Sequence, residues 1–154
     1  MDTETARRLL QVARCHADLF GRDPDTRVAA LILAPGSHQI ISTGVNGMCR
    51  GVAERQERWT RPAKYRWVVH AELDAIASAA MAGVRLDGSV CVVTLFPCAD
   101  CCKALIQAGI RELVSPEPDV THPRWGQDFE VAAQMLREAG VRVVTAVGVS
   151  GDTS

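Results

Sequence analysis

Three side chains of metal-binding type stand at the starts of two expected helices, and that placement limits the fold more than any other feature of the chain. His70-Ala71-Glu72 opens an Ala-rich helical run over residues 71–82, and Pro97-Cys98-Ala99-Asp100-Cys101 opens another over Asp100 to Ala108. A strand-length apolar segment, Val90 to Leu95, lies between them. One imidazole and two thiolates make three ligands for a tetrahedral Zn2+ ion, and three is the number that leaves a position open for water. Cys98 and Cys101, three apart at a helix start, share one face, whereas Cys102 is turned about 100° away and is excluded. Side chains two apart on a regular helix do not face each other, so His70 and Glu72 converge only where the chain is still entering the helix. The partial positive charge of a helix N-terminus helps hold thiolate and hydroxide there. A Cys-x-x-Cys alone equally fits a redox pair, and a lone His a packed core residue; the conjunction is what points to zinc.

The remaining elements follow from periodicity and turn residues. Residues 4–20 carry Leu9, Leu10, Val12, Ala13, Ala17 and Phe20 at helical spacing behind Asp2 and Thr3, which can cap. Val28 to Leu33 and Ile40 to Val45 read as an antiparallel hairpin across Ala34-Pro-Gly-Ser-His. Asn46 to Trp67 is a long, polar, Arg-rich loop, and loops of that length inside compact domains tend to be functional. Glu112 to Ser115, Asp128 to Ala139 and Val141 to Val147 give a strand, a helix and a last strand. Helix, hairpin and three helix–strand units imply a three-layer α/β/α domain. Its five-stranded mixed sheet has an antiparallel N-terminal hairpin and parallel later strands.

Composition narrows the function. At 154 residues and 47% hydrophobic content the chain supports one domain, residues 1–154, with a real core. Lys+Arg 17 against Asp+Glu 18 gives a net charge of -1, so no nucleic-acid polymer is expected as a partner. A small nucleotide remains compatible, since one or two arginines suffice for one phosphate. No stretch approaches the roughly 20 apolar residues of a membrane span, and Met1 to Arg8 lacks the basic-then-apolar order of a secretory signal. Six cysteines, three of them clustered at Cys98, Cys101 and Cys102, fit a reduced, cytoplasmic protein. A second metal site from Cys15, His16, His38, Cys49 and His122 is not supported by their spacing, Cys91 reads as core, and Trp59 and Trp67 read as packing residues, with a subunit contact an equal reading for Trp59.

The chemistry that this centre serves is hydrolytic. Water is a poor nucleophile at neutral pH, and zinc can lower the pKa of a bound water from about 15.7 to about 7. Protons must then reach a ring nitrogen and a departing amine, and Glu72 is the carboxylate placed to carry them. His-x-Glu followed by Pro-Cys-x-x-Cys is the signature of zinc deaminases. A non-catalytic zinc or nucleotide-binding module would have no need of Glu72.

From about Asp23 to Val144 the chain resembles the cytidine and deoxycytidylate deaminase superfamily, above all its deoxycytidylate (dCMP) deaminase branch. The resemblance rests on Val45-Asn-Gly-Met, Val69-His-Ala-Glu-Leu-Asp-Ala-Ile and Thr94-Leu-Phe-Pro-Cys-Ala-Asp-Cys-Cys-Lys-Ala-Leu-Ile-Gln-Ala-Gly-Ile. It implies a cytidine-deaminase-like fold, His70, Cys98 and Cys101 as zinc ligands, and Glu72 as proton shuttle. By the same resemblance Thr26 lies near the nucleotide, Asn46 approaches the sugar, the Ala71 N–H meets the base, and Pro97 borders the substrate. It implies a homo-oligomer and conversion of dCMP to dUMP with release of ammonia. The same chemistry on cytosine, cytidine, guanine or a triazine is the rival. The chain departs from the family at Val45, where tyrosine is frequent, at Cys49, where proline is common, and at Pro116 to Gly126, which lacks an Asp-Lys-Tyr run. Trp125 is the stacking ring that could stand in for that tyrosine. For a phosphate, the loop offers Arg50, Arg58, Arg61, Lys64 and Arg66, with Arg50 taken into the binding set; Arg suits phosphate because its planar fork matches the oxygens.

Overall fold

The computed structural model describes residues 1–146, so the expected end of the last strand at Val147, like the rest of the C-terminal eight residues, lies outside it. Helix α1 (Thr3–Phe20) starts at Asp2, whose carboxylate accepts the Thr5 N–H at 2.9 Å and so satisfies one of the orphan donors of the first turn. Its buried residues, Ala6, Leu10, Ala13 and Ala17, recur at helical spacing and form one apolar stripe. Strands β1 (Ala29–Leu33) and β2 (Ile40–Val45) then form the antiparallel hairpin that the sequence implied. Next come β3 (Gly47–Met48), α2 (Gln56–Trp59), α3 (Lys64–Trp67), β4 (Val68–Val69), α4 (Ala71–Ala82) and β5 (Val90–Val93). The described chain ends with α5 (Ala99–Gln107), β6 (Glu112–Ser115), α6 (Gly126–Glu138) and β7 (Arg142–Thr145).

The main sheet has the order β2-β1-β5-β6-β7. β1 is antiparallel to β2 and to β5, while β5, β6 and β7 run parallel. Because side chains alternate along a strand, each strand supplies two cores. Leu31, Leu33, Val92 and Val114 pack with Ala6, Leu10 and Ala13 of α1. Ala30, Ile32, Cys91, Val93 and Leu113 pack on the opposite side with Ala71, Ala75, Leu105, Phe129 and Leu136 of α4, α5 and α6. Burial on both faces explains why these strands read as unbroken apolar runs.

Three departures from the sequence reading have physical reasons. β5 stops at Val93, and Leu95 and Phe96 leave the sheet to line a cavity. Val28 is not in β1: its N–H donates to the Asn46 side chain at 2.8 Å, and its carbonyl accepts the Asn46 N–H at 3.2 Å. The loop over 46–67 is not structureless, since it holds two four-residue helices and strand β3, which pairs with β4 through Gly47↔Val69 and Met48↔Val68. That small sheet draws Asn46 and His70 to one place. Helix α4 lies so close to β2 that a Cβ on Gly44 would fall within 2.8 Å of the Asp74 carbonyl carbon and closer still to Ala71 O and Ala75 N. It ends at Gly83, whose φ of +67° suits glycine, as the sequence indicated.

Candidate active site

His70 and Cys98 occupy equivalent positions, each the N-cap of its helix with extended backbone (φ -77°, ψ 153° and φ -70°, ψ 168°) and no side-chain capping bond. The helix begins only after them, which frees both side chains to turn towards the space between α4 and α5. His70 Nδ1 lies 3.4 Å from Cys98 Sγ and 3.4 Å from Cys101 Sγ. Ligands on a tetrahedral zinc at bond lengths of about 2.0 and 2.3 Å stand roughly 3.5 Å apart, so the donor set fits the ion. Among the described residues this is the group of His, Cys and acidic side chains whose donor atoms all lie within 4.8 Å of one another. Cys102 is buried, points its sulfur towards the Pro97 carbonyl at 3.9 Å, and has its thiol pushed up to about 12 by burial.

The donor groups perturb one another strongly. The hydrogen bond from the Cys101 thiol pulls the Cys98 thiol down to about 4, against the opposing effect of burial, with His70 adding to the fall. Cys101 is driven the other way by the same bond and by burial. The His70 imidazole is raised by its bond to Cys98. Glu72 is 4% exposed, and burial raises its carboxyl above the ordinary range. A carboxyl that resists ionisation beside a metal site is suited to hand a proton on.

A cavity of about 130 Å³ opens over these groups, with His70, Ala71, Glu72 and Cys98 in its lining. Val28, Val68, Phe96 and Phe129 give it apolar walls, and Phe96 meets Phe129 edge-on at 5.7 Å. Tyr65 and Trp125 line it together, also edge-on, with centroids 6.2 Å apart. Arg124 lies over the Tyr65 ring at 3.4 Å, and the Tyr65 hydroxyl accepts from Arg61 Nε at 2.8 Å.

The structure brings most of the sequence-derived residues together. Thr26, Asn46, Ala71 and Trp125 line the cavity beside the metal donors. Pro97 is not in the lining. Arg50 is placed elsewhere: it lies along the outer side of α4, donating to Ser78 Oγ at 2.6 Å and contacting Asp74 at 3.4 Å and Met81. The phosphate candidates divide. Arg61 and Lys64 line the cavity, whereas Arg58 donates to Ala53 O and covers Trp67 at 4.0 Å. Trp67 is therefore a 42% exposed ring under a guanidinium rather than a packing residue, while Trp59 is buried.

Two polar groups of the lining are heavily paired within the protein. Lys64 is 5% exposed and paired with Asp23 Oδ1 at 2.7 Å and Asp25 Oδ2 at 3.2 Å, so it braces the loop rather than standing free. Asn46 gives its Nδ2 hydrogens to Asp23 Oδ2 at 3.1 Å and Thr26 O at 2.8 Å and accepts the Val28 N–H on Oδ1. One Oδ1 lone pair is what it still offers a substrate hydroxyl. Asp23, 1% exposed and central to this network, was missed; the Asp23-Pro-Asp-Thr turn, in which its Oδ1 accepts the Asp25 and Thr26 N–H groups, was the available signal. Tyr65, Phe96 and Phe129 carried no signal beyond being aromatic.

A three-donor set fit for a metal, with a buried carboxyl group in the lining of the adjoining cavity, points to a hydrolytic metalloenzyme. Comparison with known proteins gives its family. The sequence model described as the cytidine and deoxycytidylate deaminase zinc-binding region matches residues 3–116. An uncharacterized deaminase in the luxG 3′ region of Aliivibrio fischeri is 35% identical over 144 residues, covering 93% of this chain and 94% of that one. Human deoxycytidylate deaminase is 38% identical over 99 residues, 60% of this chain and 54% of the human one. The dCMP deaminase of cyanophage S-TIM5, in complex with dCMP and dUMP, superposes with a TM-score of 0.71 at 26% identity, covering 94% of this chain and 98% of that one. The chain belongs to the cytidine and deoxycytidylate deaminase family and is a zinc-dependent deaminase, and His70, Cys98 and Cys101 are the residues whose arrangement could hold the ion.

Proposed function

We propose that the enzyme deaminates a pyrimidine deoxynucleoside monophosphate, converting dCMP to dUMP with release of ammonia. The observation that carries this reading is the cavity itself, whose lining holds His70, Glu72 and Cys98 together with Arg61, a cation 55% exposed. The likeness to a phage enzyme that binds dCMP and dUMP supports it. A bound zinc supplies Lewis acidity that makes water a competent nucleophile near neutral pH. Glu72 accepts a proton from the attacking water and passes it to ring N3 as the C4–O bond forms. It then takes the proton of the new C4 hydroxyl and delivers it to the exocyclic nitrogen, and the C4–N4 bond breaks with loss of ammonia as the C4 carbonyl forms. The Ala71 N–H lies outside the intrahelical ladder at the first turn of α4 and is free to contact the base edge. Phe96, Phe129 and Trp125 take the ring against apolar surface and keep bulk water out.

The test is a comparison of dCMP with deoxycytidine on the parent enzyme and on Arg61→Ala. A charge-assisted phosphate bond contributes about 1.5–3 kcal/mol, so the monophosphate should be favoured by roughly 10–100-fold in kcat/KM and the preference lost in the variant. Equal kcat/KM on nucleotide and nucleoside in the parent would reject the assignment and favour a free base or nucleoside. The reading extends to a homo-oligomer, supported by an α4 whose outer side shows Leu73, Ala77 and Ala80 to solvent, bordered by Arg50 at Met81. Light scattering of the purified chain checks it. A reducing, cytoplasmic setting is supported by six cysteines that are all free. No helix among the described residues is long and apolar enough to cross a membrane.

A further inference from the structure

Helix α5 carries two of the three metal donors, yet its own N-cap residue cannot perform the usual capping task. Ser, Thr, Asp or Asn at that position would accept a hydrogen bond from the first turn. Cys98 occupies it instead, with its sulfur turned towards His70 Nδ1 at 3.4 Å and no capping bond. The missing acceptor comes from another helix. Asp128 Oδ2 accepts the Ala99 N–H at 2.8 Å from 29 residues further along the chain. Ala99 is the first residue of α5 and follows Cys98 directly, so this bond fixes the peptide plane from which the Cys98 side chain departs.

We propose that Asp128 is a positioning residue for the metal centre, capping α5 from α6 and setting the angle at which Cys98 and Cys101 meet His70. Its place on α6 gives the bond a second consequence. Asp128 is half-buried and stands between Trp125 and Phe129, both of which line the cavity. The carboxylate that caps α5 therefore stands between two residues of the cavity lining. This rests on the zinc reading of His70, Cys98 and Cys101, and it adds a residue in contact with neither metal nor substrate.

The experiment is a zinc competition against a chromogenic chelator, run on the full chain with Asp128→Ala, Asp128→Asn and, as a control on the same helix, the exposed Glu130→Ala. Residues behind metal ligands typically change metal affinity by about 10–100-fold. Asp128→Ala should weaken zinc by about tenfold. Asp128→Asn keeps an acceptor of the same reach without the charge, and should fall only about threefold short. Glu130→Ala should match the parent. A merely structural role would lower the melting temperature of zinc-loaded and zinc-free protein alike; positioning of the ligands narrows the gap between the two forms, because weaker binding stabilises less. Unchanged zinc affinity in Asp128→Ala overturns the proposal, as does an equal loss of stability in both forms. Should the alanine variant fail to fold, unchanged affinity in Asp128→Asn overturns it equally. A parent chain that takes up no zinc sinks the deaminase reading and this proposal with it.

Discussion

Gly44→Ala is the sharpest probe of how the fold places the chemistry. A Cβ there would stand within 2.8 Å of the Asp74 carbonyl carbon, and nearer to Ala71 O and Ala75 N, all of which are α4 backbone. Backbone cannot rotate aside as a side chain does, so α4 and β2 must separate by roughly 1 Å to restore ordinary contact near 3.5 Å. Two bonds across that seam lengthen with it, Val45 N–H to Asp74 Oδ2 at 3.1 Å and Ser42 Oγ–H to Ala75 O at 2.7 Å. Overpacking of this kind costs about 1–3 kcal/mol. Each weakened bond adds up to about 1 kcal/mol, so the total is about 1–5 kcal/mol. His70 and Glu72 ride on the displaced helix, and a 1 Å misplacement at a reacting centre can lower the rate by about 100-fold. Urea unfolding reads the first quantity and steady-state turnover the second. A variant that unfolds within about 0.5 kcal/mol of the parent and keeps its kcat would refute the argument that this glycine sets the depth of α4.

Three further substitutions test the site's division of labour. Glu72→Gln should lower kcat by about 10³-fold while metal analysis still finds zinc on the chain, because the carboxylate moves protons and is not a ligand. Asn46→Ala leaves the Val28 N–H and the Thr26 carbonyl without a side-chain partner in a buried corner, and should cost about 2–4 kcal/mol in denaturant unfolding; a loss confined to KM would instead make it a pure substrate contact. Lys64→Met strips the cation from Asp23, and breaking a buried pair costs about 3–5 kcal/mol, moderated here by the three N–H donors that Asp23 keeps; stability at the parent's level would show that the pair does not brace the loop.

The metal donors were legible in the sequence because a metal demands particular residue types and a helix start tolerates only certain spacings. His70 and Cys98 had to be entering their helices for the triad to close, and both are N-caps. Long periodic elements were legible for a similar reason, since α1, α4 and the hairpin each repeat one pattern over several residues. The segment from Asn46 to Trp67 was not. Its helices α2 and α3 are four residues each, too short for periodicity, and are held by contacts distant in sequence. Nothing in a loop with six cations distinguishes Lys64, which is buried on Asp23 across 41 residues, from Arg50, which lies on the outside of α4. Asp128 was hidden for the same reason: its partner is a backbone N–H, and a backbone group leaves no trace in the choice of residue at position 99.

The two halves of the site answer to different parts of the chain, and this bears on how substrate choice is set. The metal centre depends on α4 and α5, whose placement is fixed by Gly44, Asp74 and Asp128 through backbone contacts. The cavity wall depends on the 56–67 segment and on the turn before α6, which supply Arg61, Tyr65 and Trp125. Asp23, Asn46 and Lys64 are largely satisfied by one another, and groups already paired in a buried corner add little net attraction for a ligand. On the proposed function, discrimination between a nucleotide and a bare ring would then fall on Arg61, Tyr65 and Trp125, the more exposed aromatic and cationic groups of the lining. Replacing Tyr65 and Trp125 together by leucine should alter kcat/KM among pyrimidine substrates while leaving zinc content at the parent's level. If zinc is lost along with selectivity, the wall and the centre are one cooperative unit, and the separation argued from these contacts does not hold.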